Sequence, residues 1–146
     1  ETAGFDAVID YKNEDVSAQI AHHCPDKWDV FFDNVGGPIL EAAIDHVNLR
    51  SRIVLCGSIS GYNATAPIPG PSNLSNLTIN RARMEGFVIL DYMPRAMEAI
   101  QDLMAWVASG DLVYQVDLQE GFNNIPATLQ RLYTGQNLGK QLLKMS

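Results

Sequence analysis

The residues best placed for chemistry form two glycine-bearing turns, Asp33-Asn34-Val35-Gly36-Gly37-Pro38 and Cys56-Gly57-Ser58-Ile59-Ser60-Gly61-Tyr62-Asn63. Each follows a strand-like apolar run, residues 28–32 and 53–55. At such strand ends an open parallel sheet presents backbone to a ligand, and glycine lets the two approach closely. Two in succession imply a nucleotide crevice. The usual phosphate cradle is missing, because no Gly-x-Gly-x-x-Gly joins a first strand to a helix and no phosphate loop ends in Gly-Lys-Ser or Gly-Lys-Thr.

Rival chemistries fare worse. A short-chain dehydrogenase needs a Tyr-x-x-x-Lys pair, and no tyrosine here has a lysine four residues on. His22, His23 and His46 have no metal-binding spacing, since adjacent helical side chains point about 100° apart; they read as solvated, and no metal is expected. Asp10, Asp29 and Asp33 could form an acid–base set, but at strand ends they fit turns and caps equally well. Cys24 and Cys56 are the only cysteines and read as two free thiols. The Asn-x-Ser/Thr triplets at Asn63, Asn73 and Asn76 read as polar loop positions rather than glycosylation acceptors.

A repeated strand–helix pattern must position the turns. Ala7-Val8-Ile9-Asp10-Tyr11 is a β-branched run, followed by a helix that Asn13 could cap, with Val16, Ile20 and Cys24 as its stripe and Pro25 as its stop. Trp28-Asp29-Val30-Phe31-Phe32-Asp33 is nearly continuous, as in a strand covered on both faces. Pro38 then opens a helix through Leu40, Ala43, Ile44 and Val47. Residues 52–56 form a third buried run, and the loop over 57–72, with three glycines and three prolines, reads as functional or covering. A short helix over 76–83 leads to the strand Met84-Glu85-Gly86-Phe87-Val88-Ile89-Leu90, whose glycine and acid suit a sheet edge. A helix over 94–108 places Met97, Ile100, Leu103, Met104 and Val107 at core spacing, with Gly110 past its end. Beyond it come a strand within 112–118, a helix over 126–133 and a final apolar run over 140–145. The repeat predicts an α/β fold with a doubly wound parallel sheet and right-handed crossovers.

Composition sets the outer limits. The 146 residues are 47% hydrophobic and 18% charged, which suits a globular chain. A net charge of −7 without a basic run gives no footprint for nucleic acid or an anionic membrane. No apolar run reaches the roughly 18 residues of a membrane span, and residues 1–6 lack a signal pattern, so the default expectation is a cytoplasmic protein with small-molecule or protein partners.

Several motifs carry a family resemblance: Phe31-Phe32-Asp33-Asn34-Val35-Gly36-Gly37, the run from Val54 through Cys56-Gly57-Ser58 to Asn63, Arg81-Ala82-Arg83-Met84-Glu85-Gly86-Phe87, Asp91-Tyr92, and Thr134-Gly135-Gln136-Asn137-Leu138-Gly139-Lys140. Together they resemble the zinc-independent medium-chain dehydrogenases/reductases, in the branch of prostaglandin reductase, alkenal double-bond reductase and curcumin reductase. Members have a Rossmann domain inserted in a catalytic domain, and this sequence resembles their C-terminal half. The resemblance implies an incomplete Rossmann-type parallel sheet, its third to sixth strands, over 1–110, and a C-terminal return segment of the catalytic domain over 111–146. In the sheet order 3-2-1-4-5-6, the first two strands and the cation that selects the 2'-phosphate of NADP would precede residue 1. The 7–11 strand would then lack its neighbours and be displaced or pair with another chain, and the tail's apolar residues would be mobile, repacked or used in association.

The resemblance also implies roles. The family transfers hydride from NADPH to the β-carbon of an α,β-unsaturated ketone or aldehyde, and the enolate is then protonated. Asn34, Val35 and Gly36 resemble the approach to the nicotinamide ribose, and Cys56, Gly57, Ser58 and Ile59 the floor of the cofactor site. Phe87, Ile89 and Asn137 resemble further cofactor contacts; by pattern alone Phe87 and Ile89 would be strand core. Tyr62 is similar to the tyrosine beside nicotinamide and substrate, where a phenol could donate to developing oxyanion charge. A homodimer through the edge strand over 84–90 is implied, and the chain alone is expected to be inactive. The alternatives are a quinone or enoyl-thioester reductase of the same superfamily, and a non-enzymatic association module.

Overall fold

Asp10 decides the start of the described chain. Its Oδ1 accepts from the Lys12 N–H at 3.1 Å and its Oδ2 from the Asn13 amide at 2.6 Å. Its carbonyl takes the N–H groups of Asn13 and Glu14 at 3.0 and 2.9 Å. This self-contained turn replaces the strand expected over 7–11: residues 7–10 form none and 11–14 turn. No strand lies beside the run to satisfy its backbone, so local hydrogen bonding prevails. The first helix, α1 (Val16–His23), is capped by Asp15 rather than Asn13, with its side chain accepting from the Ala18 N–H at 2.9 Å.

The computed structural model describes residues 4–145. The reading of residues 1–3 therefore lies outside the described residues. The chain divides into two units, one spanning Ala7–Met93 and the other built from Pro94–Ser146 with residues before Ala7.

In the first unit β1 (Trp28–Asp33), β2 (Val47–Leu55) and β3 (Arg83–Gly86) form one parallel sheet in sequential order. Register pairs Asp33 with Leu55 and Leu55 with Gly86, so the three carboxyl ends align. Pro38 sits in the first turn of α2 (Gly37–Asp45), where its missing N–H costs nothing, and Leu40, Ala43 and Ile44 face inward. With Val47 and Ile53 they form the core, against which Trp28, Phe31, Leu77 and Met84 pack. The short helix α3 (Ser75–Asn80) lies against β2 and ends at Arg81 in the left-handed region.

Several expectations change here. β1 is not covered on both faces: Val30 is 66% and Phe32 51% exposed, while Asp33 is buried. The edge strand stops at Gly86 instead of continuing to Leu90, because the chain turns into a 3-10 segment, Ile89–Arg95. The Phe87 N–H still donates to the Leu55 carbonyl at 2.9 Å, prolonging the ladder by one bond. His46 is not solvated; its Nε2 shares a 2.8 Å hydrogen bond with Ser17 Oγ, tying α1 to the end of α2.

In the second unit α4 (Ala96–Ser109) ends at Gly110, whose φ of 83° is the left-handed cap that glycine favours. Its stripe is not core as expected: Met97, Ile100, Leu103, Met104 and Val107 are all exposed. β4 (Val116–Glu120) and β5 (Lys140–Lys144) pair in parallel beside α5 (Ile125–Thr134). Polarity is inverted there, with Leu118 and Leu142 exposed while Asp117 and Gln141 bond Arg131 of α5. The Asp117 carboxylate accepts from the Leu138 N–H at 3.0 Å, the Arg131 guanidinium at 2.7 Å and the Gln119 amide at 2.8 Å. These donors, the Leu138 N–H foremost, pull its pKa from 3.8 down to about 2. A carboxyl depressed on folding stabilises above its unfolded pKa and stops doing so as pH falls through the folded one. Amide protection at β4 and β5, relative to the intrinsic exchange rate at each pH, should therefore fall between about pH 4 and pH 2, and Asp117→Asn should flatten that response.

Candidate cofactor site

Asp33 ends β1 and organises both glycine turns. Its carboxylate, 1% exposed, accepts from the N–H groups of Val35 at 2.9 Å and Gly36 at 3.0 Å. Its carbonyl accepts from Cys56 at 2.8 Å and Gly57 at 3.1 Å, at the end of β2. The turns are then stitched together: the Ile59 N–H donates to the Asn34 carbonyl at 3.2 Å, and Ser60 donates to the Val35 carbonyl through its N–H at 3.1 Å and its hydroxyl at 2.6 Å. Of the readings open for the aspartates, the turn role is therefore the observed one at Asp33, as at Asp10.

Glycine is required where the turns touch. Gly36 has φ 70° and ψ −160°, a region closed to other residues, and a Cβ there would meet Ser58 Oγ at 2.7 Å. A Cβ on Gly57 would stand 3.1 Å from the Asn34 carbonyl.

Outside the three aligned strand ends lies a cavity of about 580 Å³. Gly36, Cys56, Gly57, Ser58, Tyr62 and Phe87 line it, with Asp33, Gly37, Leu40, Leu55, Gly86 and Val88. Asn34, Val35 and Ile59 belong to the stitched turns but do not line this cavity, and Val35 lines a separate one with Pro38, Ile39 and Ser60. Tyr62 follows a 3-10 turn, Ile59–Gly61, donates its N–H to Ile59, and is 65% exposed. Phe87 is half-buried, its ring centroid 5.7 Å from Phe32 and 5.1 Å from Tyr92.

Two expected contacts fall elsewhere. Ile89, expected as strand, is on the 3-10 segment, 61% exposed, and does not line the cavity. Asn137 is in the second unit, its amide donating to the Gly139 carbonyl at 2.9 Å. Sequence reasoning missed the opposite wall, Ile68, Pro69, Gly70 and Pro71, although the proline-rich loop had been marked as functional or covering. Among the described residues no group of three His, Cys, Asp or Glu could hold a metal ion, and Cys24 and Cys56 are free thiols. No helix among the described residues is long and apolar enough to cross a membrane.

Residues 3–143 match the family model described as zinc-binding dehydrogenase. YfmJ of Bacillus subtilis, which bears the name of an NADP-dependent oxidoreductase, is 42% identical over 145 residues, 97% of this chain and 43% of its own length. The NADP-dependent 2-alkenal reductase of Nicotiana tabacum is 38% identical over 144 residues, 98% of this chain and 42% of its own. Among solved structures, CurA of Vibrio vulnificus in complex with NADPH superposes with a TM-score of 0.88 at 38% identity, covering 98% of this chain and 44% of its own. The chain thus spans less than half the length of the proteins it matches. It belongs to the zinc-binding dehydrogenase family, and within it is similar to the NADP-dependent reductases just described.

Proposed function

We propose that this chain is part of a cytoplasmic NADPH-dependent oxidoreductase that reduces the C=C bond of α,β-unsaturated ketones and aldehydes. The carrying observation is the cavity at three aligned strand ends, lined by Gly36, Cys56, Gly57, Ser58, Tyr62 and Phe87. Its likeness to a 2-alkenal reductase and to an NADPH complex of CurA supports the reading. The residues fit one side of a nicotinamide nucleotide: Gly36, Gly57 and Gly86 present bare backbone in the lining, and Phe87 gives a flat apolar surface. Asn34, Val35 and Gly36 would flank the ribose, with Cys56, Gly57, Ser58 and Ile59 beneath. Ile89 and Asn137 would join them only in the complete protein. When bound, NADPH would supply hydride to the substrate β-carbon. Tyr62 donates its phenolic proton in a hydrogen bond to the substrate oxygen, where negative charge grows as the conjugated system is reduced. Residues 1–110 would form part of the NADP domain and 111–146 the return segment of the catalytic domain.

The test is NADPH titration and enone reduction by this 146-residue chain and by a version extended to the length of its relatives. The extended version should turn over enones and the short one should not; turnover by the short chain would refute its dependence on further sequence, and inactivity of the extended one on enones would refute the substrate class. β3 is an outer strand of its sheet, which supports a homodimer through Arg83–Gly86, the part of the expected 84–90 edge that is strand. Light scattering should give twice the chain mass; a monomer at working concentration counts against the dimer.

A further inference from the structure

The cavity's outer wall, Ile68 to Pro71, has little to hold it from within: among the described residues, the one backbone hydrogen bond made by 63–70 runs from the Ala64 N–H to the Gly61 carbonyl at 3.1 Å. Its near end is fixed through Ser60 to the first glycine turn. Its far end is fixed by α2. Glu41 Oε1 accepts both the Ser72 N–H, at 3.0 Å, and the Ser72 hydroxyl. The Asn73 amide donates to the Glu41 carbonyl at 2.8 Å and to Asp45 Oδ1 at 2.7 Å, and the Asn76 amide to that same oxygen at 3.0 Å. Glu41 and Asp45 lie one turn apart on α2, so both face the incoming chain. Neither lines the cavity.

We propose that Glu41, seconded by Asp45, is a positioning residue for the substrate side of the cavity: it holds the proline-rich wall at a fixed distance from the strand ends without touching what binds there. The placement is economical in mechanism. Pro67, Pro69 and Pro71 limit the wall's backbone freedom, so fixing Ser72 fixes the segment before it. The donors on Glu41, the Ser72 hydroxyl first and its backbone N–H next, hold its carboxyl below the usual carboxylate range, as expected for a group kept as an acceptor. The cavity's role as a substrate site rests on the reductase reading; the holding of the wall does not.

The two are separated by measuring amide exchange on the 146-residue chain without any ligand. Glu41→Ala should speed exchange about tenfold at Ser72, whose N–H Glu41 accepts, while β1 and β2 amides keep their wild-type rates. Glu41→Gln, which retains an acceptor for Ser72, should restore most of the protection. Unchanged exchange at Ser72 in Glu41→Ala would overturn the proposal, as would a Gln variant no better than Ala. Should Glu41→Ala fail to fold, Ser72→Ala combined with Asn73→Ala reads the same fixation from the loop, with the same expected rise and the same refuting result. In the extended enzyme Glu41→Ala should raise the enone KM about tenfold and leave kcat unchanged; a fall in kcat at constant KM would overturn the substrate-side role while leaving the exchange result standing.

Discussion

Replacing Ile44 with alanine is expected to destabilise the Ala7–Met93 unit by about 2–5 kcal/mol, the range for truncating a buried branched side chain. Ile44 is fully buried and packs with Leu40, Val47 and Ile53, the other large members of the core among the described residues. The surroundings cannot close the void easily, because Trp28 is fixed by its Nε1–H donating to the Ala43 carbonyl at 3.0 Å. Small domains have only about 5–15 kcal/mol in total, so the variant should be largely unfolded in mild urea. Trp28 fluorescence against urea reports it, with Trp106 in the other unit removed by substitution. Val30→Ala on the bare face should change stability by no more than about 0.5 kcal/mol. Equal effects of the two substitutions would mean that the face carrying Val30 is covered after all.

Tyr62→Phe in the extended enzyme is expected to lower kcat for enone reduction about 100-fold, as loss of one oxyanion donor does. The ring remains, so the cavity keeps its shape and NADPH affinity should be unchanged. Tyr62 is 65% exposed in this chain, which leaves its hydroxyl open to a substrate oxygen. Stopped-flow single turnovers would separate this from product release. An unaltered kcat would reduce Tyr62 to an exposed aromatic of the loop.

How far the sequence could be read depended on whether each segment's partners lie near it. β1, α2 and the two glycine turns were legible because their determinants are local: an apolar run, Pro38 in a first turn, and glycines that the structure shows in contact across the two turns. Cys56, Gly57, Ser58 and Tyr62 lie in the second of those turns, whereas Phe87 came from the family resemblance alone. Strand propensity misled where a neighbour was needed. Residues 7–11 have the β-branched composition, yet Asp10 found donors two to four residues on and the chain turned. Val88, Ile89 and Leu90 read as strand, but the edge ended at Gly86 and left them exposed. The stripe of α4 was read correctly as amphipathic and wrongly as buried, since periodicity states which face is apolar and not what covers it. The distant wall at Ile68 to Pro71 had no periodicity to betray it, and Glu41 and Asp45, which bond Ser72 and Asn73 beyond it, belong to no motif or spacing that would single them out.

The stitching of the two glycine turns also bears on selectivity. The N–H groups of Val35, Gly36, Cys56, Gly57, Ile59 and Ser60 are all donated within the protein. These six backbone donors are spent before any guest arrives, which leaves directional contacts in this lining to side chains such as the Ser58 hydroxyl and the Tyr62 phenol. The stitched backbone itself can only judge contour. Where contour alone decides, molecules differing by a methylene are separated by only roughly 10–200-fold.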